Sequence, residues 1–208
     1  MAISLSFKYV SDDIWDFLSK EPFWIEHYLF PYLVSDSDLM SCSGVIMTNH
    51  EFNDEKLEET LQRFIKERNL IEELDIDKSW HSLHLVLTKD ASSWGKCSLP
   101  YITKLDEEDG YPLVNAVMGG QEIKVYSGDI SVHYLNPDEV KVVSSQLSLI
   151  EDSCFLERYR SLEGKSGEIY SSSWDIGACD DLMDTFGEVS NYYEKASNRD
   201  VSMLLCLG

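Results

Sequence analysis

The chain is short of positive charge. Its 208 residues include 17 lysines and arginines against 38 aspartates and glutamates, which gives a net charge of −21 at pH 7. A protein with so few basic side chains is poorly suited to neutralise phosphates, so binding to nucleic acids or to anionic membranes is disfavoured. The sequence also contains no run of about 18 apolar residues that could span a bilayer.

Signals for secretion and for disulfides are missing as well. The first eight residues lack the basic region and the long apolar core of a secretion signal. The five cysteines form no Cys-x-x-Cys pair, and an odd number of them in a chain without a signal favours reduced thiols. The sequence therefore predicts a cytoplasmic protein.

Motifs of the common catalytic and ligand-binding sites are also absent. There is no Gly-x-Ser-x-Gly elbow, and Gly119-Gly120 lacks the third glycine and the lysine of a phosphate-binding loop. His81 and His84 can share a helical face, but no cysteine or glutamate stands beside them at a zinc spacing. We therefore expect no metal, no cofactor and no catalytic residues, although a dispersed active site would leave no local motif.

The chain does contain enough apolar sequence for one domain. Hydrophobic residues make up 43% of it and aromatic residues 12%, which supports a substantial core at this length. Alternation with a period of two predicts a half-buried strand over residues 3–9, with Lys8 on its polar side, and two more strands around 123–125 and 130–134. The apolar stretch 201–207 predicts a buried last strand.

Helical spacing and helix-start signals occur between these strands. The clearest start is at residues 136–139, where asparagine, proline and two acids follow one another, with Val140, Val143 and Leu147 facing inward. Further helices are predicted over about 12–20, 54–68, 151–161 and 179–195. The polar residues 89–111 predict a long surface connection. Since helices and strands do not alternate strictly, we predict an α+β fold: a single compact domain with a mixed sheet packed by several helices.

Residues 74–88 carry the most specific pattern in the chain. Four side chains recur at i, i+3, i+4 and i+7, and we predict that they serve the fold: Trp80, Leu83, His84 and Leu87. Asp77 is placed to cap the first turn of this helix. The stretch resembles the Asp-Lys-x-Trp-x-x-Leu-His core of the YfbM-like family, small bacterial proteins classed as a domain of unknown function.

The resemblance covers most of the chain from about residue 74 to the end, with a weaker match in the opening strand. Residues 112–120 are similar to the family's Pro-Leu-x-x-Ala-Val-x-Gly segment, residues 129–159 to its next strand and helical pair, and residues 204–208 to its last strand. It implies one domain over residues 1–208, in which residues 20–53 depart from the pattern and are predicted to be an insertion. The aromatic part of that insertion is open to two interpretations, a second packed layer or an exposed binding patch.

The acidic residues occur in patches, and a solvated surface is the plain explanation for any one of them. The sharper alternative is a surface that meets a basic partner, and we predict seven residues for it: Glu72, Glu73, Asp75, Asp106, Glu107, Glu108 and Asp109. Two further patches lie at residues 12–16 and 180–184.

A function follows from this charge and from the family. Many toxins that act on nucleic acids are basic, and the resemblance implies a family found beside toxin genes. The predicted function is therefore a cytosolic immunity protein that binds and neutralises a cognate bacterial toxin. The alternative is a housekeeping protein that binds a small ligand, or an enzyme without a recognisable motif.

Overall fold

A five-stranded sheet lies at the centre of the molecule. The computed structural model describes residues 4–20, 22–30, 54–71, 73–92, 99, 102–125, 130–170 and 174–208. The strands of the sheet are β1 (Leu5–Val10), β2 (Leu74–Asp75), β5 (Gln121–Ile123), β6 (Ser131–Leu135) and β7 (Ser202–Leu207), in the order β2-β1-β7-β6-β5. All described strand pairs in this sheet are antiparallel. The predicted mixed sheet would also contain parallel pairs, and the described residues form none.

Helices surround this sheet. The described residues form α1 (Asp12–Leu18), α2 (Pro22–Leu29), α3 (Asp54–Leu70), α4 (Trp80–Thr88), α5 (Pro137–Leu147), α6 (Asp152–Ser161) and α7 (Ile176–Arg199). Short 3-10 helices cover Asp77–Ser79 and Glu163–Glu168. Of the helices that the structure describes, none has the length and apolar character needed to cross a membrane. The predicted α+β class and single domain are confirmed.

Both faces of the sheet are covered, and the side chains of β7 show this most clearly. Met203, Leu205 and Leu207 pack into a larger core with α4 to α7, whereas Leu204 and Cys206 pack into a smaller core with α1 to α3. Successive residues of a strand point to opposite faces, so a strand between two cores is buried throughout. The predicted buried last strand is confirmed, since all six residues of β7 are buried.

Covering of both faces corrects the prediction of a half-buried first strand. Lys8, predicted on the polar side of β1, is only 2% exposed. Its Nζ donates a hydrogen bond to the carbonyl oxygen of Tyr28 at 3.0 Å and lies 5.1 Å from the centre of the Tyr28 ring. The period of two was correct, but α2 lies over the face that the pattern predicted to be solvated. Burial lowers the pKa of Lys8.

Helix α2 comes from the aromatic stretch of the predicted insertion. Trp24 and Tyr28 are completely buried, and the Trp24 ring lies 5.2 Å from that of Phe17 and 5.6 Å from that of Phe64. The described part of this stretch is therefore a packed layer. Residues 31–53 lie outside the described residues, so the insertion itself stays a prediction.

Helix α5 begins as its sequence predicts. The Asn136 side chain accepts a hydrogen bond from the Glu139 amide, and the Glu139 carboxylate accepts one from the Asn136 amide, both at 2.9 Å. This reciprocal arrangement satisfies two amide donors that the helix leaves unpaired at its start. Val140, Val143 and Leu147 are buried on its inner side.

Two local predictions are wrong. Asp77 does not cap α4: it has a left-handed backbone (φ 45°) at the start of a 3-10 helix, and the residue before α4 is Ser79. Its own amide donates to Asp75 Oδ1 at 2.7 Å instead. The predicted surface connection at 89–111 contains strand β3 (Thr103–Leu105), which pairs with β4 (Pro112–Val114) in a hairpin. Strands this short carry too few residues for a period to show in the sequence.

Candidate functional site

Helix α4 lies inside the molecule along its whole length. All nine of its residues are buried, including the four predicted to serve the fold: Trp80, Leu83, His84 and Leu87. Trp80 is 3% exposed, and its ring stacks on that of His81 with centres 4.7 Å apart. The i, i+3, i+4 and i+7 spacing of these four residues therefore marks one face of a helix that is enclosed on every side.

The His81 ring already uses both of its nitrogens. The amide of Tyr170 donates to His81 Nδ1 at 2.9 Å, and His81 Nε2 lies 3.2 Å from the carbonyl oxygen of Ala91. Because Nδ1 accepts, the proton is on Nε2 and is donated to Ala91. Burial lowers the pKa of this histidine. Within the described ranges, no three His, Cys, Asp or Glu side chains come together as a metal-binding group.

His84 is completely buried beside Thr88. The Thr88 hydroxyl donates to the His84 carbonyl at 2.7 Å, so it accepts from His84 Nε2, which lies 3.3 Å away. Nδ1 makes no hydrogen bond among the described residues. Burial lowers the pKa of His84 to about 4, because the charged ring would lose its water.

This buried histidine predicts a loss of stability on acidification. Between about pH 6.5 and pH 4, His84 binds a proton in the unfolded chain but stays neutral in the folded protein. The free energy of unfolding should therefore fall by about 3 kcal/mol as the pH is lowered through this range, and it should be highest above about pH 6.5. Urea unfolding at about pH 7 and about pH 4.5 measures the loss, with His84→Gln as the comparison. The loss should be smaller in the variant. An equal loss in both proteins, or a folded His84 that titrates near 6.5 by NMR, would refute it.

Three of the predicted partner-binding residues, Asp106, Glu108 and Asp109, belong to an internal charge cluster, whose other members are Lys89 and Arg158. Arg158 is 3% exposed and donates from Nε and Nη2 to the two carboxylate oxygens of Asp109, at 2.7 and 2.9 Å. Its Nη1 donates to the carbonyl oxygen of Pro112 at 3.0 Å. Since two parallel hydrogen bonds to a guanidinium stabilise the carboxylate, the pKa of Asp109 lies far below its usual range.

Lys89 completes the charge cluster from the end of α4. Its ammonium is ion-paired with Asp106, with Glu108 at 3.1 Å and with Asp109 at 3.4 Å. Asp106 is buried, whereas Glu107 and Glu108 are exposed. The acidic run 106–109 is thus half neutralised from within, and it joins the β3–β4 hairpin to α4 and α6. Sequence reasoning missed Lys89 and Arg158, because they are 19 and 49 residues from their partners.

The remaining predicted partner-binding residues lie beside β2. Glu73 and Asp75 are exposed, and Asp75 also accepts the amide of Asp77. Glu72 lies outside the described residues. Four of the seven predicted residues are therefore exposed in the described part of the chain: Glu73, Asp75, Glu107 and Glu108.

Helix α7 carries a longer exposed acidic surface. Its inner face is buried through Leu182, Phe186, Val189 and Tyr193. The opposite face presents what we call the α7 stripe: Asp180, Asp181, Asp184, Glu188 and Glu194, all exposed. These acids recur mainly at intervals of three and four, which places them along one side of the helix. The sequence indicated only the first three of them as a patch.

A cleft opens between α6 and the start of α7. It has a volume of about 280 Å³. One wall is an aromatic pair, Tyr159 and Trp174, whose rings are stacked with centres 4.1 Å apart and planes 2° apart. Hydrogen bonds hold the pair in place: Trp174 Nε1 donates to the Tyr159 carbonyl at 3.1 Å, and the Tyr159 hydroxyl donates to the Asp175 carbonyl at 3.0 Å. These hydrogen bonds fix the orientation of both rings in the wall of the cleft.

The cysteine in this cleft is a weak nucleophile. Cys179 is 2% exposed, and burial raises the pKa of its thiol, with a further increase from the carboxylate of Asp180. Burial also raises the pKa of Cys154 and that of Cys206, the latter to about 12. Since the thiolate is the reactive form, these three thiols are poorly suited to covalent catalysis at neutral pH.

Comparison with known proteins confirms the resemblance seen in the sequence. The crystal structure of YfbM from Escherichia coli, described as a protein of unknown function, aligns with 99% of this chain over 99% of its own length. The TM-score is 0.54 and the sequence identity 14%, so this likeness concerns the fold alone. No protein of curated function matches the sequence. The family model described as a domain of unknown function, DUF1877, matches residues 1–206. The chain therefore belongs to the DUF1877 family.

Proposed function

We propose that the protein binds a basic protein partner through its exposed acidic surface, as a cytosolic immunity protein that neutralises a cognate bacterial toxin. The observation that carries this proposal is the α7 stripe, five exposed carboxylates on one side of a 24-residue helix. The helix is anchored by its buried inner face, so the charges are held in a fixed arrangement before any partner arrives.

The distribution of charge supports a partner that is met through long-range attraction. The net charge of −21 gives the whole molecule a negative field, and clustered carboxylates focus it. Such a field increases the rate at which a basic protein finds the surface and orients it during the encounter. Within the charge cluster, Lys89 and Arg158 offset two of the three acids, so the buried Asp106 and the half-buried Asp109 contribute little to this field. The exposed acids on α7, and those at residues 73–75 and 107–108, supply it instead.

A small-ligand function is the second candidate, and the cleft between α6 and α7 is the observation that favours it. Its volume of about 280 Å³ lies just below the range of pockets that hold drug-sized ligands, roughly 300–1,000 Å³. The cleft is therefore small for a complete cofactor. It suits a group of the size of one side chain.

Charge reversal on α7 tests the proposed function. The protein would be co-purified with the product of the gene adjacent to its own, and the association rate of the pair would then be measured. We expect Asp184→Lys with Glu188→Lys to slow association about tenfold while thermal unfolding shows that the fold is kept, because exposed charges act mainly on encounter. The matched control, Glu73→Lys with Glu107→Lys, changes the total charge by the same amount at the positions predicted from sequence.

The two variants separate the possible outcomes. Slower association of the α7 variant than of the control places the contact on the stripe, and the reverse places it at the originally predicted residues. Equal slowing would assign the effect to net charge. If a partner binds both variants as fast as the unchanged protein, the acidic surface does not attract it. The absence of any co-purifying product would overturn the immunity function.

A further inference from the structure

We infer that the cleft between α6 and α7 receives an arginine or lysine side chain of the basic partner. This inference rests on the proposed function, and it names the point at which the partner would be held after the encounter. The cleft and the α7 stripe are continuous, since Asp180 belongs to both. A basic segment drawn to the stripe therefore meets the cleft at the start of the same helix.

The shape and lining of the cleft fit a cation on an apolar stem. Trp174 and Tyr159 supply aromatic surface, and Leu156 and Ile176 supply aliphatic surface. Ile176 is 80% exposed, so its side chain offers apolar surface to a group that enters the cleft. Arginine and lysine place their methylene groups against such surface while their charge lies by an aromatic ring or a carboxylate.

The charges around the cleft favour a cation over an anion. Among the described residues, three carboxylates line it, those of Glu163, Asp175 and Asp180, and one guanidinium, that of Arg160. The start of α7 would by itself attract an anion, but the Asp175 carboxylate already accepts the amide of Ala178 there at 2.9 Å. The guanidinium of Arg160 opposes a bound cation. Removal of Arg160 should therefore strengthen binding, which is the opposite of what an anionic ligand would require.

Binding of blocked amino acids tests this inference without the partner. N-acetyl-arginine amide and N-acetyl-glutamate amide would be titrated separately into the folded protein, with the Trp174 indole NMR signal and calorimetry as readouts. We expect only the arginine compound to bind. Asp180→Asn should weaken its affinity about fivefold and Arg160→Gln should raise it by a similar factor, as expected for one charge at close range in water. Both substitutions are at exposed positions, so folding should be preserved.

Three outcomes of these titrations contradict the inference. No binding of the arginine compound, tighter binding of the glutamate compound, or a gain in arginine affinity from Asp180→Asn would overturn the inference. In the complex with the partner, the same two substitutions should change the dissociation rate in opposite directions. If charge reversal on the α7 stripe slows association but neither Asp180→Asn nor Arg160→Gln changes the dissociation rate, the proposed function stands and the inference about the cleft is wrong. If the arginine compound binds but no partner protein co-purifies, the cleft is a site for an arginine side chain and the immunity function is wrong.

Discussion

Replacement of Arg158 with methionine is expected to lower the free energy of unfolding by about 3 kcal/mol. The guanidinium is 3% exposed and makes hydrogen bonds to both oxygens of Asp109 and to the carbonyl oxygen of Pro112. Methionine keeps the apolar stem but removes the hydrogen bond to the Pro112 carbonyl, and among the described residues Lys89, at 3.4 Å, remains the cationic partner of Asp109. A partly buried carboxylate that loses both hydrogen bonds to its guanidinium is costly, and urea unfolding measures that cost.

The neighbouring Arg160 provides the control for this prediction. It lies two residues further along α6 and is exposed, so Arg160→Gln should change the free energy of unfolding by less than about 0.5 kcal/mol. Adding Asp109→Asn to Arg158→Met should restore part of the loss, because it removes the stranded charge. Two results would show that the ion pair itself contributes nothing. One is an Arg158→Met protein as stable as the unchanged one, and the other is a loss in the double variant equal to the sum of the losses in Arg158→Met and Asp109→Asn.

Replacement of Trp80 with alanine is expected to cost about 3 to 5 kcal/mol, the range for a large aromatic side chain removed from a core. Trp80 is 3% exposed in the larger core and contacts the ring of His81. The cavity left behind adds to the lost burial, because the enclosed helix α4 has little room to collapse. Thermal and urea unfolding of Trp80→Ala, with Trp80→Phe as a milder change, give the loss directly.

An exposed apolar residue shows what the same kind of truncation does at the surface. Leu149, in the turn after α5, is 54% exposed, so Leu149→Ala should leave the free energy of unfolding within about 0.5 kcal/mol of its original value. If Trp80→Ala and Leu149→Ala melt alike, the indole is not the core anchor that its burial indicates.

The elements that the sequence predicts well are those whose cause is local. The start of α5 depends on residues 136–139, which bond to one another, and the last strand is apolar at every position after Ser202. Helix α7 was predicted over residues 179–195, although its first turn, at Ile176, was missed. In these cases the residues that determine the structure are neighbours in sequence, so a pattern suffices.

The sequence fails where two distant segments decide the outcome. Lys8 alternates as a polar-face residue, and only the packing of α2 over that face buries it. Asp106 and Asp109 belong to an acidic run that is typical of a solvated loop, but Arg158 is 49 residues from Asp109 and converts the run into an internal cluster. The cleft likewise depends on the meeting of α6 with the start of α7. Periodicity within one segment contains no information about such meetings.

If the exposed acids attract a basic partner, the association rate of the two proteins must depend on salt. The rate constants of association and dissociation would be measured with the co-purified partner at about 0.1 M and about 1 M salt, where the Debye length falls from about 10 Å to about 3 Å. We expect an association rate at least tenfold lower at high salt, a smaller change in the dissociation rate, and a weaker salt effect in the Asp184→Lys, Glu188→Lys variant. An association rate that is the same at both salt concentrations would contradict this expectation.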